Sequence, residues 1–417
     1  MTRRLKEFLG DTTRKRRILA LDGGGVRGLM TLGVLSKLEA ELSKRSGDPD
    51  YRLSQYFDLI GGTSTGSIIA TGLAHGWRVS RVQKAYREIV PKIFKRVMAW
   101  GLLAPKYREK PLVDALTEFF GETTLESPEL ETGLAIFAKR MNSGSAWVFC
   151  NNPGWSYYDN ENPGPGHAPN CKLKLRSLVQ ASAAAPHYFR GVEMEIQTSA
   201  PGVEAEPPAY FIDGGVGGYN NPALELLTVV RDPAYGFNWP LGADNLYMLS
   251  VGTGWVREIT KPGGVFFLQT VGALRAMIND VSLQQIAYMQ ALGRPQMPWY
   301  INSEKQHQMG RAYLSPNDMP TLSYQRVDVR FGEDTDHAGA LLPDTAHALR
   351  GKKLKGGDVK GLKNIANSKR RNSELLTALG EKAGTRFIEN APPPHEFDHS
   401  PGQWTRIGQE GPGSQRG

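Results

Sequence analysis

Ser64 stands at the centre of Gly62-Thr63-Ser64-Thr65-Gly66, a Gly-x-Ser-x-Gly spacing. On a tight strand-to-helix turn such a serine is pushed to the sheet edge, with helix N–H groups aimed at whatever forms on its oxygen. That is the geometry of an acyl-transfer nucleophile, although a plain glycine-rich turn has the same spelling. A second stretch, Asp22-Gly23-Gly24-Gly25-Val26-Arg27-Gly28, offers unhindered backbone N–H groups in succession. Its Gly23, Gly25 and Gly28 also satisfy the dinucleotide pattern G-x-G-x-x-G. The acidic residue that should end the next strand and hold a ribose is missing, because Ile60 is followed by Gly61. A phosphate-binding P-loop also fails, since no Gly-Lys-Ser/Thr follows at the required spacing. An oxyanion cradle at a helix N-terminus is what remains. Arg27 either adds to its positive field or holds the loop. The third stretch, Asp213-Gly214-Gly215, puts a carboxylate in a glycine turn.

The elements around these turns repeat one plan. Arg17-Ile18-Leu19-Ala20-Leu21 reads as a buried strand, and Leu29, Leu32, Leu35, Leu38 and Leu42 recur at helical steps after the glycine turn. Tyr56 to Ile60 is again a strand, followed by a helix from Ser67 to Ala74. Two parallel strands would bring both turns to the same carboxyl edge of a sheet. Ala209-Tyr210-Phe211-Ile212 is a strand leading to Asp213, and Pro222 opens the next helix. Strands are also expected at 132–140, 146–150, 245–251 and 321–331, with helices at 173–185, 264–292 and 358–389. Lys92 to Leu103 mixes cations with apolar residues and Trp100. It reads either as a core-packed helix with a solvated basic face or as a lid that meets lipid.

A serine needs a base. The later histidines are His75, His167, His187, His307, His337, His347, His395 and His399, and none follows a clear strand in a tight loop. A Ser-His-Asp triad is thereby weakened. The alternative is a dyad in which Asp213 takes the serine proton directly, with burial raising its pKa towards a useful value.

The three motifs, in this order, resemble those of the patatin-like phospholipases. Blocks at 182–189 (Ser-Ala-Ala-Ala-Pro-His-Tyr-Phe), 220–222 (Asn-Asn-Pro) and 249–254 (Leu-Ser-Val-Gly-Thr-Gly) are similar as well. The resemblance covers residues 16–255. It implies a lipid acyl hydrolase with a Ser64–Asp213 dyad and an oxyanion hole at Gly23, Gly24 and Gly25. Asp22, Arg27, Gly28, Gly62, Gly66, Gly214 and Gly215 would be supporting motif residues. The implied fold is a three-layer α/β/α arrangement with a central, mostly parallel sheet. Phospholipid or lysophospholipid is the implied substrate, and no metal or cofactor is required. A regulated variant of the same enzyme, silent until a ligand or partner binds the region after Gly264, is a second expectation. A nucleotide-binding protein is a distant third.

Domain limits are expected at 1–15 (basic leader), 16–332 (catalytic domain), 333–389 (helical extension) and 390–417 (Pro/Gly-rich loose tail). The chain of 417 residues, 40% hydrophobic and 22% charged, is ordinary for a globular protein. Two cysteines are too few for a disulfide framework, and the basic N-terminus lacks a signal-peptide core. A cytoplasmic protein in peripheral contact with membranes is expected. The net charge of +8 favours anionic surfaces. Much of that excess sits in Arg14-Lys15-Arg16-Arg17 and in Lys369 to Arg371, read as solvated flanks of a strand and a helix; no aromatic–basic interleaving points to nucleic acid.

Overall fold

The computed structural model describes residues 2–95, 107–159, 169–196, 207–255, 266–299, 314, 315, 317, 319–331 and 357–399. Nine strands among them form one sheet. They are β1 (Arg16–Leu21), β2 (Leu59–Thr63), β3 (Gly133–Arg140), β4 (Ala146–Cys150), β5 (Val192–Met194), β6 (Ala209–Asp213), β7 (Leu246–Val251), β8 (Arg294–Pro295) and β9 (Ser323–Val327). Pairing runs β5–β6–β3–β2–β1–β7–β9–β8, with β4 also on β3. The centre is parallel, from β3 through β2, β1 and β7 to β9 and β8. Only β4, β5 and β6 join antiparallel. β1 and β7 are buried at every position, as continuous apolar runs between two helix layers must be.

The helices are α1 (Thr2–Gly10), α2 (Gly28–Ser46), α3 (Leu53–Tyr56), α4 (Thr65–Ala74), α5 (Val79–Ile93), α6 (Lys110–Phe120), α7 (Leu175–Ser182), α8 (Ala223–Arg231) and α9 (Phe266–Leu292). Two more follow at Asp358–Lys363 and Arg370–Asn390. Alternation along β2 separates the layers: a Cβ on Gly61 would meet Leu226 of α8, whereas one on Gly62 would meet the first turn of α4. The expected leucine face of α2 is fully buried, and so is the rest of its first two turns. The Arg370–Asn390 helix lies along α2 and covers the side that would otherwise face water.

Register places the third motif. Ala135, Ile136 and Phe137 of β3 pair with both β2 and β4, so those strands flank β3 on opposite sides. Ala138 and Lys139 pair with both β4 and β6, so β6 lies on the β2 side. Thr63 pairs with Phe137, and Asp213 pairs with the next residue, Ala138. Strands β2 and β6 therefore share one lane beside β3 and run head-on into each other, ending at Ser64 and Asp213.

Several expectations change. The Arg14–Arg17 run is not a solvated flank at its second half: Arg16 and Arg17 are buried on the carboxylate of Asp58, at 3.4 and 3.1 Å. Phe8 and Trp239 cover the Arg16 guanidinium, which shields a pair that water would otherwise weaken. The first part of the expected loose tail is held, because Phe397 is buried and its carbonyl accepts from Arg17 Nε at 2.6 Å. The expected 358–389 helix is broken between Lys363 and Arg370. Trp100 and the rest of 96–106, His167, His307, His337, Asp344, His347 and residues 400–417 lie outside the described residues.

Candidate active site

Ser64 joins β2 to α4 with φ 54° and ψ −122°, in a region that side-chain-bearing residues rarely adopt. Such a residue stores about 1–3 kcal/mol of strain and persists only where its surroundings hold it. Here the Ser64 N–H donates to Ser182 Oγ at 2.9 Å, and that hydroxyl donates to the Phe137 carbonyl at 2.6 Å. Ser182, the last residue of α7, thereby ties the elbow to β3. The flanking glycines are required by close approach: a Cβ on Gly62 would sit 2.2 Å from the Gly66 carbonyl oxygen. The Ser67 hydroxyl donates to the Ser64 carbonyl at 2.6 Å and closes the first turn of α4.

Asp213 is buried, and the Ser64 hydroxyl lies near enough to its carboxylate to stabilise the ionised form. Its Oδ1 accepts from the Gly215 N–H at 2.8 Å, and its own N–H donates to the Ala184 carbonyl at 3.0 Å. Burial pushes the carboxyl up from 3.8 to about 6, while the nearby Ser64 hydroxyl and the Gly215 N–H restrain the rise. A carboxylate in that state is ionised at neutral pH yet much more basic than a free aspartate.

The Asp22–Gly28 turn lies against this pair. A Cβ on Gly23 would come within 3.0 Å of Ser64 Cβ. Of the three expected oxyanion donors, Gly23 is already spent: its N–H donates to the Asn220 carbonyl at 3.0 Å. The Gly24 N–H donates to Thr65 Oγ1 at 3.0 Å, a side-chain partner that can rotate away. The Gly25 N–H has no partner among the described residues. Gly25 has φ +58° and its carbonyl accepts from the Tyr86 hydroxyl, which fixes the plane of the following peptide. Arg27 is buried with its guanidinium 5.9 Å from the Phe331 ring, and it also acts on the charge of Asp22.

Beneath the turn is a buried ion network that sequence reasoning missed. Arg326 donates to both oxygens of Asp22, at 2.9 and 2.6 Å, and to Asp328 at 2.7 Å. Asp328 in turn accepts from the Gly254 N–H at 2.8 Å. Burial raises Asp22 to about 6 against the pull of Arg326, leaving it ionised at neutral pH. The signal was present in 326–331, where Arg326, Asp328 and Arg330 alternate with Val327, Val329 and Phe331. Ser182 and Asn220 stand in the blocks at 182–189 and 220–222 and Thr65 in the serine motif, but nothing in the sequence marked the bonds they make.

Ser64, Asp213 and the glycine turn open on one cavity of about 810 Å³. Its walls are mainly apolar, from Ile68 of α4, Ile89 and Ile93 of α5, Leu116 of α6 and Phe189. Volume and lining suit an apolar ligand with one polar end. His187 lines the cavity with φ 71°. His75 is packed against Trp77 and Phe120, and burial lowers it to about 4. His395 pairs with Asp398, and His399 lies by Arg17. No group of three or more His, Cys, Asp or Glu among the described residues is disposed to hold a metal. None of the described helices is long and apolar enough to cross a membrane.

The family model described as "Patatin-like phospholipase" matches residues 19–227, half of the chain. The chain belongs to the patatin-like phospholipase family. Among curated patatin-like relatives, Patatin-17 of Solanum cardiophyllum is 30% identical over 254 residues, covering 58% of this chain and 62% of that protein. The "cGAMP-activated phospholipase" of Escherichia coli (strain TW11681) is 32% identical over 243 residues, covering 57% of this chain and 62% of its own. The chain thus spans under two thirds of the length of these relatives. Human GIVD cytosolic phospholipase A2 superposes with a TM-score of 0.44 at 12% identity, over 93% of this chain and 62% of its own. The patatin-like match ends at residue 227, inside α8, so Arg326, Asp328 and both C-terminal helices lie beyond it.

Proposed function

We propose that this protein is a lipid acyl hydrolase working through a Ser64–Asp213 dyad. The observation that carries the reading is the placement of the strained Ser64 beside the buried, basic Asp213 at the wall of an apolar cavity. In the first half-reaction Ser64 Oγ attacks the ester carbonyl carbon and its proton passes to Asp213. The carbonyl oxygen becomes an oxyanion, met by the free Gly25 N–H and by the Gly24 N–H once Thr65 releases it. Collapse breaks the ester bond, and the departing glycerol oxygen takes the proton back from Asp213. Water then gives its proton to Asp213 and attacks the acyl-enzyme. Fatty acid leaves and the proton returns to Ser64.

The substrate is a phospholipid or lysophospholipid met at the surface of a membrane by a cytoplasmic protein. Support for surface contact comes from α9, which exposes Leu274, Met277 and Tyr288, with Leu274 at the cavity wall. The catalytic unit is residues 16–332, followed by an extension over 333–389 whose described part, from residue 357, packs on it. Fatty-acid release from phospholipid vesicles tests the dyad: Ser64→Ala and Asp213→Ala should each abolish it. Undiminished release by either purified variant would sink the assignment.

A ligand-gated form of the same enzyme is the second reading. It is favoured by the 32%-identical relative described as cGAMP-activated. It is favoured also by the carbonyl of Ile365, between the two C-terminal helices, which accepts from the Val26 N–H at 2.8 Å in the oxyanion turn. Wild-type protein that is silent alone and active on adding a cyclic dinucleotide would select this reading.

A further inference from the structure

The cavity beside Ser64 is unevenly charged. Among its described lining residues the cations are Arg27, Arg275, Lys360 and Lys363, and the carboxylate is Asp213 alone. Asp213 is committed to Ser64, and Arg27 belongs to the glycine turn. The other three come from parts of the chain outside the family match: Arg275 from α9, and Lys360 and Lys363 from the Asp358–Lys363 helix.

None of these three cations has an acidic partner among the described residues. Lys360 and Lys363 are three residues apart, hence on one helix face, and neither has an acidic partner among the described residues. The helix's own acid, Asp358, is taken by Arg371 through bonds of 2.9 and 2.6 Å. Arg275 donates to the Tyr188 hydroxyl at 2.7 Å and meets no carboxylate among the described residues. The lysines are also positioned. Leu362 between them is buried, and two residues beyond Lys363 the Ile365 carbonyl is bonded to the Val26 N–H. The same backbone contact that braces the oxyanion turn therefore holds Lys360 and Lys363 beside the cavity.

An apolar chamber, a nucleophile and an uncompensated cationic rim match a molecule with an acyl tail, an ester and an anionic head. We propose that Arg275, Lys360 and Lys363 bind the phosphate of a glycerophospholipid headgroup and set a preference for phosphorylated over uncharged esters. The inference rests on the acyl-hydrolase reading and extends it to a substrate class. Lys and Arg are the side chains for this task, and one charge-assisted hydrogen bond to phosphate corresponds to roughly a tenfold change in affinity.

The test uses the full chain and monomeric dihexanoyl phosphatidylglycerol, so that adsorption to a bilayer plays no part. Binding to the Ser64→Ala protein is measured by calorimetry, with and without Lys360→Gln and Lys363→Gln. The double substitution should weaken binding at least tenfold, and Arg275→Gln should add to the loss. In the Ser64 background, KM for the same lipid should rise correspondingly while kcat/KM for p-nitrophenyl hexanoate stays within twofold. Inorganic phosphate should compete with the lipid in the parent protein; strong binding of phosphate with none of the lipid would assign the site to a free phosphate ligand and overturn the headgroup proposal. Unchanged lipid binding in the double variant would overturn it too, and so would an equal fall for both esters, which would make the lysines braces of the glycine turn. Lysine-dependent lipid binding without hydrolysis of either ester, with or without a cyclic dinucleotide, would leave the rim assignment standing and remove the hydrolase reading instead.

Discussion

Asp213 is held in a state that favours catalysis at the expense of stability, and Asp213→Asn exposes the cost. Burial raises its carboxyl from 3.8 to about 6 in the folded protein. The unfolded chain ionises first as pH rises, so this group's contribution to stability is intact below pH 3.8 and is lost as pH climbs through about 6. At 1.36 kcal/mol per tenfold, the shift amounts to about 3 kcal/mol at neutral pH, an upper limit because the native site relaxes on ionising. Asparagine keeps an acceptor for the Gly215 N–H and carries no charge. Its fixed packing cost is the same at every pH. The stability of Asp213→Asn minus that of wild type should therefore rise by about 2–3 kcal/mol between pH 4 and pH 7. Titrations with urea at both pH values, read by tryptophan fluorescence, measure the difference directly. Asp22 also titrates near 6 but is present in both proteins and cancels. A pH-independent difference would refute the assignment of a raised pKa to Asp213.

The same carboxyl sets the rate profile: kcat/KM should rise with the loss of one proton centred near pH 6 and flatten above it. A profile flat down to pH 4 would mean that another base serves Ser64. Arg326→Met should lower stability by about 3–5 kcal/mol in denaturant titrations, because Asp22 and Asp328 would remain buried without their counter-ion. Met277 is 57% exposed on α9, and Met277→Glu should weaken binding to phosphatidylglycerol vesicles by about tenfold while sparing a soluble ester.

The parts of the site that were legible in the sequence are those in which chemistry and local geometry share contiguous residues. A serine forced to positive φ needs Gly62 and Gly66 around it, and a helix N-terminus that approaches backbone closely needs Gly23 to Gly25, so both turns spell themselves out. Asp213 was legible as a residue but not in its direction of approach. That it arrives on an antiparallel strand meeting β2 end to end follows from pairing with β3, which no local pattern encodes. The supports were hidden by distance along the chain: Ser182 lies 118 residues from the amide it receives, and Arg326 lies 304 residues from Asp22. Arg16 and Arg17 misled for a related reason. A basic run looks solvated until Asp58 and two aromatic rings are brought around it by the fold. The glycine turn suggested three equivalent donors, and only hydrogen bonding to Asn220 and Thr65 distinguishes them.

The central claim is that Ser64 is a nucleophile activated by Asp213, and covalent trapping tests it most directly. Purified protein is incubated with a fluorophosphonate carrying a long alkyl chain, digested, and mapped by mass spectrometry. The account predicts one phosphonylated residue, Ser64, with labelling slowed by orders of magnitude in Asp213→Asn. Modification of a different residue, or labelling of Ser64 at an unchanged rate without Asp213, would contradict it.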